Sequence, residues 1–164
     1  MTDIEGMTGV WMQVNKCDRR AVALADRHYS RKSPGTSQFT QPGHNLVLLS
    51  RDEKAVWVTR AGIRDDGYDA WECTMFRNEG TYLSSHLIVL ALGITHHLWG
   101  LPPTDGIITY VGKHLRGGCF HAAGFRRIGE SRTRHLPLLQ LARERMPPPM
   151  EPAEDGFWEH EMRG

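Results

Sequence analysis

No apolar run in this 164-residue sequence reaches the roughly 18 residues that a membrane span requires. The longest, Leu87 to Leu98, is broken by Gly93, Thr95, His96 and His97. Acidic residues precede any apolar stretch at the N-terminus, which argues against a secretory signal. Cysteine is scarce: Cys17, Cys73 and Cys119 are odd in number and far apart. That argues against a disulfide framework and for a reducing compartment, so the cytoplasm is expected. No internal repeat is visible. What is there, 40% apolar and 24% charged residues, is the composition of an ordinary soluble globular chain with room for one domain.

Net charge is also nearly lacking, at +1, but the charge is unevenly spread. Residues 16–32 carry Lys16, Arg19, Arg20, Arg27, Arg31 and Lys32 against Asp18 and Asp26. Residues 106–146 carry eight basic side chains against Glu130 and Glu144, and residues 147–164 reverse the sign. Two basic segments on a neutral chain suit either a phosphate-facing surface or plain solvated faces.

Val10 to Val14 predicts a strand, and Asp18 an N-cap for a helix with Ala21, Leu24, Ala25 and His28 at helical spacing, ending near Tyr29. Ser30 to Gly43 is a long loop rich in Ser, Pro, Gly and Thr. Leu46–Leu49 and Ala55–Thr59 make a hairpin, and Trp71–Phe76 a fourth strand. Leu83, Leu87, Leu90, Ala91, Ile94 and Leu98 mark the apolar stripe of a second helix, with Ser84 or Ser85 at its start. Gly106–Val111 is a short buried strand, Gly117-Gly118 open a short helix closed by Gly124, and Phe125–Ile128 is a strand. Leu136–Leu141 completes the sheet or its last hairpin. The expected fold is therefore α/β, a mixed sheet in the order β-α-β-β-β-α-β-α-β with helices on both faces and a cleft between the fourth and fifth strands. Residues 1–146 form the domain, and 147–164 a Pro-rich and then acidic tail.

Cys119-Phe120-His121-Ala122-Ala123-Gly124-Phe125-Arg126-Arg127-Ile128-Gly129 resembles the closing helix, Ala-Gly-Phe turn and following strand of the GNAT acyltransferase superfamily. Arg27-His28-Tyr29-Ser30, Phe76-Arg77-Asn78-Glu79, Ser84-Ser85 and Thr109-Tyr110-Val111 resemble, more narrowly, the Mom-like DNA-modification proteins of phages. The resemblance runs from about residue 10 to 141. It implies a GNAT-type fold and transfer of a small acyl-type (carbamoylmethyl-like) group to adenine N6, in the cytoplasm of a phage-infected bacterial host. The partner would be duplex DNA, its base flipped out. Two features disfavour acetyl-CoA as donor. The stretch Arg77-Asn78-Glu79-Gly80-Thr81-Tyr82 has one glycine, and an acid where a pyrophosphate would sit. Phe120 stands where many members carry a tyrosine acid. The donor is left as an unknown small acyl-type molecule.

On this resemblance His28, Tyr29, Glu79 and Tyr110 are the candidate catalytic residues, and Arg77, Asn78, Ser84 and Ser85 the donor-binding ones. An adenine amino group must lose a proton as it attacks, so Glu79 or His28 would be the base. Arg77 offers a bidentate fork to phosphate or carboxylate. The structural alternatives are a helix end stabilised by His28, an Arg77–Glu79 ion pair fixing a turn, and plain capping by Ser84 and Ser85. Arg31, Lys32, Lys113, Arg116, Arg126 and Arg127 would contact nucleic acid, with Trp71, Tyr29 or Tyr68 stacking on a base. Cys119, behind Gly117-Gly118 at a helix start, is either a low-pKa thiol or a small core residue. Nine histidines and three cysteines show no standard zinc spacing, and a mononuclear iron or zinc site using His28 or Glu79 stays open. The other readings are an acetyl-CoA-dependent N-acetyltransferase of a small amine or protein, and a non-catalytic binding module on the same scaffold.

Overall fold

The computed structural model describes residues 9–27, 39–112 and 117–154. Along the chain run β1 (Trp11–Val14), α1 (Arg19–Ala25), β2 (His44–Ser50), β3 (Ala55–Ala61), β4 (Trp71–Asn78), α2 (Ser84–Trp99), β5 (Ile107–Tyr110), α3 (Gly118–Ala122), β6 (Arg126–Glu130) and β7 (Pro137–Leu141). The chain is an α/β protein with one mixed seven-stranded sheet, ordered β1-β2-β3-β4-β5-β7-β6. All neighbours are antiparallel except β4 and β5. Leu136–Leu141 therefore supplies a strand of its own, inserted between β5 and β6.

Local chemistry sets the helix starts. Asp18 caps α1, its Oδ1 accepting from the amides of Arg20 at 2.9 Å and Ala21 at 3.4 Å. This helix closes at Ala25, sooner than the apolar spacing implies; His28 and Tyr29 lie outside the described residues. Its Ala21, Leu24 and Ala25 pack on Val47, Leu49, Val56, Val58 and Met75, one face of the sheet. The opposite face holds α2, over Leu46, Leu48, Trp57, Cys73 and Ile107.

α2 is buried nearly all round, from Leu87 to Thr95, rather than along one stripe, and the two ends of the expected stripe, Leu83 and Leu98, are exposed. The cause is the segment expected to be a tail. Residues 147–153 cross the outer side of α2. The Pro147 carbonyl lies 2.8 Å from His96 Nδ1, the Met150 amide donates to the Gly93 carbonyl at 3.0 Å, and the Ala153 amide donates to the Trp11 carbonyl at 2.7 Å. With sheet on one side and this strap on the other, α2 has little solvent to face.

β4 and β5 stay in register for only two pairs, Trp71↔Ile107 and Glu72↔Ile108. The Thr109 hydroxyl reaches the Cys73 carbonyl at 2.9 Å. Beyond it β4 continues against β3 alone, with a register shift opposite Val58/Thr59 that leaves Thr74 as the extra residue. The expected opening between the fourth and fifth strands is not a free slot on the α2 side. Phe120 packs edge-on against Phe76 (centroids 6.2 Å) and Phe125 (5.3 Å), with Trp57 6.4 Å away. Three rings and an indole favour filling such a gap over leaving it wet.

Candidate functional site

The concave polar site lies on the α1 face. Val56, Val58 and Arg60 alternate onto that face of β3, Arg60 pairs with Glu72, and Glu72 pairs with Ile108. α1 covers β2, β3 and the far end of β4, and among the described residues no helix covers the β4–β5–β7 part. There a recess of about 840 Å³ is lined by Arg60, Arg64, Asp66, Tyr68, Glu72, Tyr110 and, from the β6–β7 turn, Glu130 and Arg132. Small-molecule sites occupy roughly 300–1,000 Å³.

A charged chain runs through its floor. Arg64 Nη1 meets Glu72 Oε1 at 2.9 Å, and the same guanidinium forks onto Asp66, Nε to Oδ1 at 3.0 Å and Nη2 to Oδ2 at 2.5 Å. The Tyr110 hydroxyl donates to Asp66 Oδ2 at 2.9 Å, and the Tyr68 amide donates to Oδ1 at 3.1 Å. The side chains of Arg64, Glu72 and Asp66 are 9%, 14% and 17% exposed. The two carboxylates titrate in opposite directions. Burial lifts Glu72 above the ordinary glutamate range, more than Arg64 lowers it. At Asp66 the burial penalty is outweighed by hydrogen bonds from Arg64, the Tyr68 amide and Tyr110, which bring it down to about 2. Burial and the Asp66 carboxylate push Tyr110 up to about 12, so its proton stays on at neutral pH.

The other expected residues do not share this recess. Past the bulge, the pleat puts Arg77 on the α1 face and Asn78 on the α2 face. Asn78 Nδ2 donates to Ser84 Oγ at 3.0 Å and to the Tyr82 carbonyl at 2.8 Å, and its Oδ1 accepts from the Gly80 amide at 2.9 Å. Asn78 and Ser84 thus tie the turn to the first residue of α2, and Ser85 follows in the first turn, half-buried. Arg77 and Glu79 bond each other at 2.6 Å. Glu79 also takes a fork from Arg27, and the two guanidiniums hold its carboxyl down near 2. A carboxylate so stabilised is a weak proton acceptor. Tyr110 sits two residues beyond the last β4–β5 pair, with Asp66 and not with Arg77.

Neither a family model, a curated protein nor a solved structure matches the chain. Arg126 and Arg127 lie exposed on β6, at the sheet edge, with Arg127 3.8 Å from Glu130. His28, Tyr29, Arg31, Lys32, Lys113 and Arg116 fall outside the described residues. Among the described residues no group of three or more His, Cys, Asp or Glu side chains is placed to hold a metal, and no helix is long and apolar enough to cross a membrane. Burial raises the Cys119 thiol, so the helix start does not activate it. Arg64, Asp66 and Glu72 were not singled out by sequence. The available signal was Glu72, a lone carboxylate in the otherwise uncharged strand Trp71–Phe76.

Proposed function

We propose that the chain is a group transferase on a GNAT-like scaffold, passing a small acyl-type (carbamoylmethyl-like) group to an amine held in the recess, and that this amine is N6 of a DNA adenine. The observation that carries the reading is Glu72. It is a carboxyl with a side chain only 14% exposed and a raised proton affinity, facing a recess that opens where two parallel strands part. The strand order, the bulge in β4 and the early parting of β4 from β5 suit the GNAT reading. In the proposed step N6 attacks the electrophilic carbon of the donor. The N–C bond forms, the donor's leaving group departs with its electron pair, and the N6 proton passes to Glu72. Tyr110, kept neutral, and Arg64 fix the floor. Tyr68, on the recess wall, offers a ring for an extruded base to stack on. Arg132 on the recess wall, with Arg126 and Arg127 on the edge strand β6 outside it, supplies phosphate contacts.

The test is the mass of nucleosides from DNA of cells expressing the protein. A modified adenine is expected with the native chain and is lost with Glu72→Gln. Unmodified DNA in both would remove the DNA reading.

One observation favours a second acceptor. The recess wall carries Asp65, Asp66, Glu72 and Glu130 against Arg60, Arg64 and Arg132. A slight acidic excess suits a small cationic amine, as in an acetyl-CoA-dependent N-acetyltransferase. Tight binding of acetyl-CoA in calorimetry would select it.

A further inference from the structure

A second hollow, of about 390 Å³, adjoins the recess where β4 begins. Arg64 and Tyr68 line both, so the segment between β3 and β4 is the partition. Trp71, Asp69, Ala61, Ala70 and Pro103 belong to the second hollow alone. The chain holds these residues from behind. Trp71 meets Trp99 edge-on, with centroids 5.1 Å apart, and Trp99 stacks on His44 at 4.6 Å. The Tyr68 amide is tied to Asp66 Oδ1 at 3.1 Å. The Asp69 amide donates to Asp105 Oδ2 at 2.8 Å, and the Asp105 amide donates to the Asp69 carbonyl at 2.9 Å.

The charges around this hollow are not matched. Residues 60–72 carry Asp65, Asp66, Asp69 and Glu72 against Arg60 and Arg64. Both Asp66 and Glu72 are bonded to Arg64. Arg60 lines the recess and donates to the carbonyls of Pro42 at 2.6 Å and Ile63 at 3.3 Å. Among the described residues neither Asp69 nor Asp105 has an ion-pair partner, and the Asp69 carboxylate accepts only from the Thr104 amide, at 3.4 Å. An exposed acid alone needs no ligand. Asp69 shares its hollow with two partly exposed rings, and neither the Tyr68 hydroxyl nor the Trp71 indole N–H bonds to another described residue.

We propose that this hollow binds a small organic cation with a methylated ammonium head, seated against Tyr68 and Trp71 and balanced by Asp69. Ring faces are the negative side of an aromatic quadrupole, and they attract a cation that sheds its water easily. A compact primary ammonium is strongly hydrated and gains less from such walls. Ala61, Ala70 and Pro103 suit methyl groups in the same way. An anion would instead meet Asp69 with Asp105 beside it. The site stands apart from Glu72 and does not depend on transfer chemistry in the recess.

Calorimetric titration with choline tests this, run beside the uncharged isostere in which a tert-butyl group replaces the trimethylammonium head. Choline binds the native protein, and the isostere binds about tenfold more weakly or not at all. Asp69→Asn is an exposed change that leaves both backbone bonds in place, and it weakens choline about tenfold. Trp71→Leu and Tyr68→Leu lose the binding, whereas Tyr68→Phe, which keeps the ring, retains it. Circular dichroism verifies the fold of each variant. Equal binding of choline and its isostere overturns the proposal, as does an Asp69→Asn protein that binds choline like the native one. Absence of choline binding by the native protein also overturns it. Binding lost in Glu72→Gln but kept in Asp69→Asn overturns it too, and assigns the cation to the recess. Unmodified adenine in the expression test leaves the choline result intact.

Discussion

The hydroxyl of Tyr110 donates to Asp66 at 2.9 Å across 44 residues of sequence, fastening the end of β5 to the loop that precedes β4. Tyr110→Phe removes one hydrogen bond to a charged acceptor and nothing of the ring. The expected loss is about 2 kcal/mol, read from urea unfolding at neutral pH. Asp66 keeps its bonds to Arg64 and the Tyr68 amide, so its carboxyl rises only part of the way back from about 2 toward 3.8. A stability unchanged by Tyr110→Phe would mean that the bond contributes nothing in solution.

Two carboxylates on one guanidinium should titrate on opposite sides of their ordinary values, and carboxyl-carbon NMR can follow both. Asp66 is depressed, from 3.8 to about 2, so the stability it contributes is fully present above 3.8 and is lost as pH falls toward 2. Glu72 is raised above 4.5 by burial, so its contribution is present below that value and fades as pH rises through the folded midpoint. Asp66→Asn therefore flattens the acid limb of the stability curve, and Glu72→Gln removes the decline above pH 4.5. A Glu72 midpoint at or below 4.5 would contradict the burial argument and weaken its case as a proton acceptor.

These groups show what the order of residues can and cannot reveal. The Asp18 cap, the start of α2 near Ser84 and the succession of strands depend on neighbours a few positions apart, so spacing alone locates them. The Arg64–Glu72 and Asp66–Tyr110 contacts depend on which strands lie side by side, which the spacing of residues 64–72 does not reveal. The catalytic and donor-binding candidates Arg77, Glu79, Ser84 and Tyr110 do not meet around one hollow. Pleat alternation past the Thr74 bulge divides them between two faces, and the parting of β5 carries Tyr110 to a third neighbourhood. A helix wrapped on both sides is apolar beyond one stripe, and the unbroken run Leu87–Leu92 was the trace of the strap, although periodicity alone did not say what covers the second side.

Gly106 enters β5 at φ +73°, and a Cβ there would lie 2.1 Å from the Leu141 carbonyl oxygen and 3.0 Å from the Arg143 amide nitrogen. Both obstacles are backbone at or just beyond the end of β7, so neither can rotate away. Gly106→Ala is expected to lose about 3 kcal/mol through left-handed strain and this clash. At roughly 2–4 °C per kcal/mol for a chain of this size, the thermal midpoint drops by about 6–12 °C. Gly100→Ala serves as the comparison. It has φ +80° but nothing within 4 Å of the added carbon, so it bears the strain alone and melts higher than Gly106→Ala.

The strap gives the most direct check on the fold. Ending the chain at Met146 removes the Pro147 carbonyl from His96, the Met150 amide from the Gly93 carbonyl and the Ala153 amide from the Trp11 carbonyl. It also strips Met150 and Ala153, both partly buried, from the two cores they pack against. At about 1 kcal/mol per hydrogen bond, the bonds alone predict a loss of about 3 kcal/mol, with apolar exposure adding to it. The shortened protein should unfold at markedly lower denaturant, with a smaller denaturant slope because less surface is buried on folding. Amide exchange at Met150 and Ala153 in the full chain should be slow, matching the opening of α2 rather than that of a frayed end. A truncated chain as stable as the full one, or fast exchange at those two amides, would return residues 147–153 to the status of a tail.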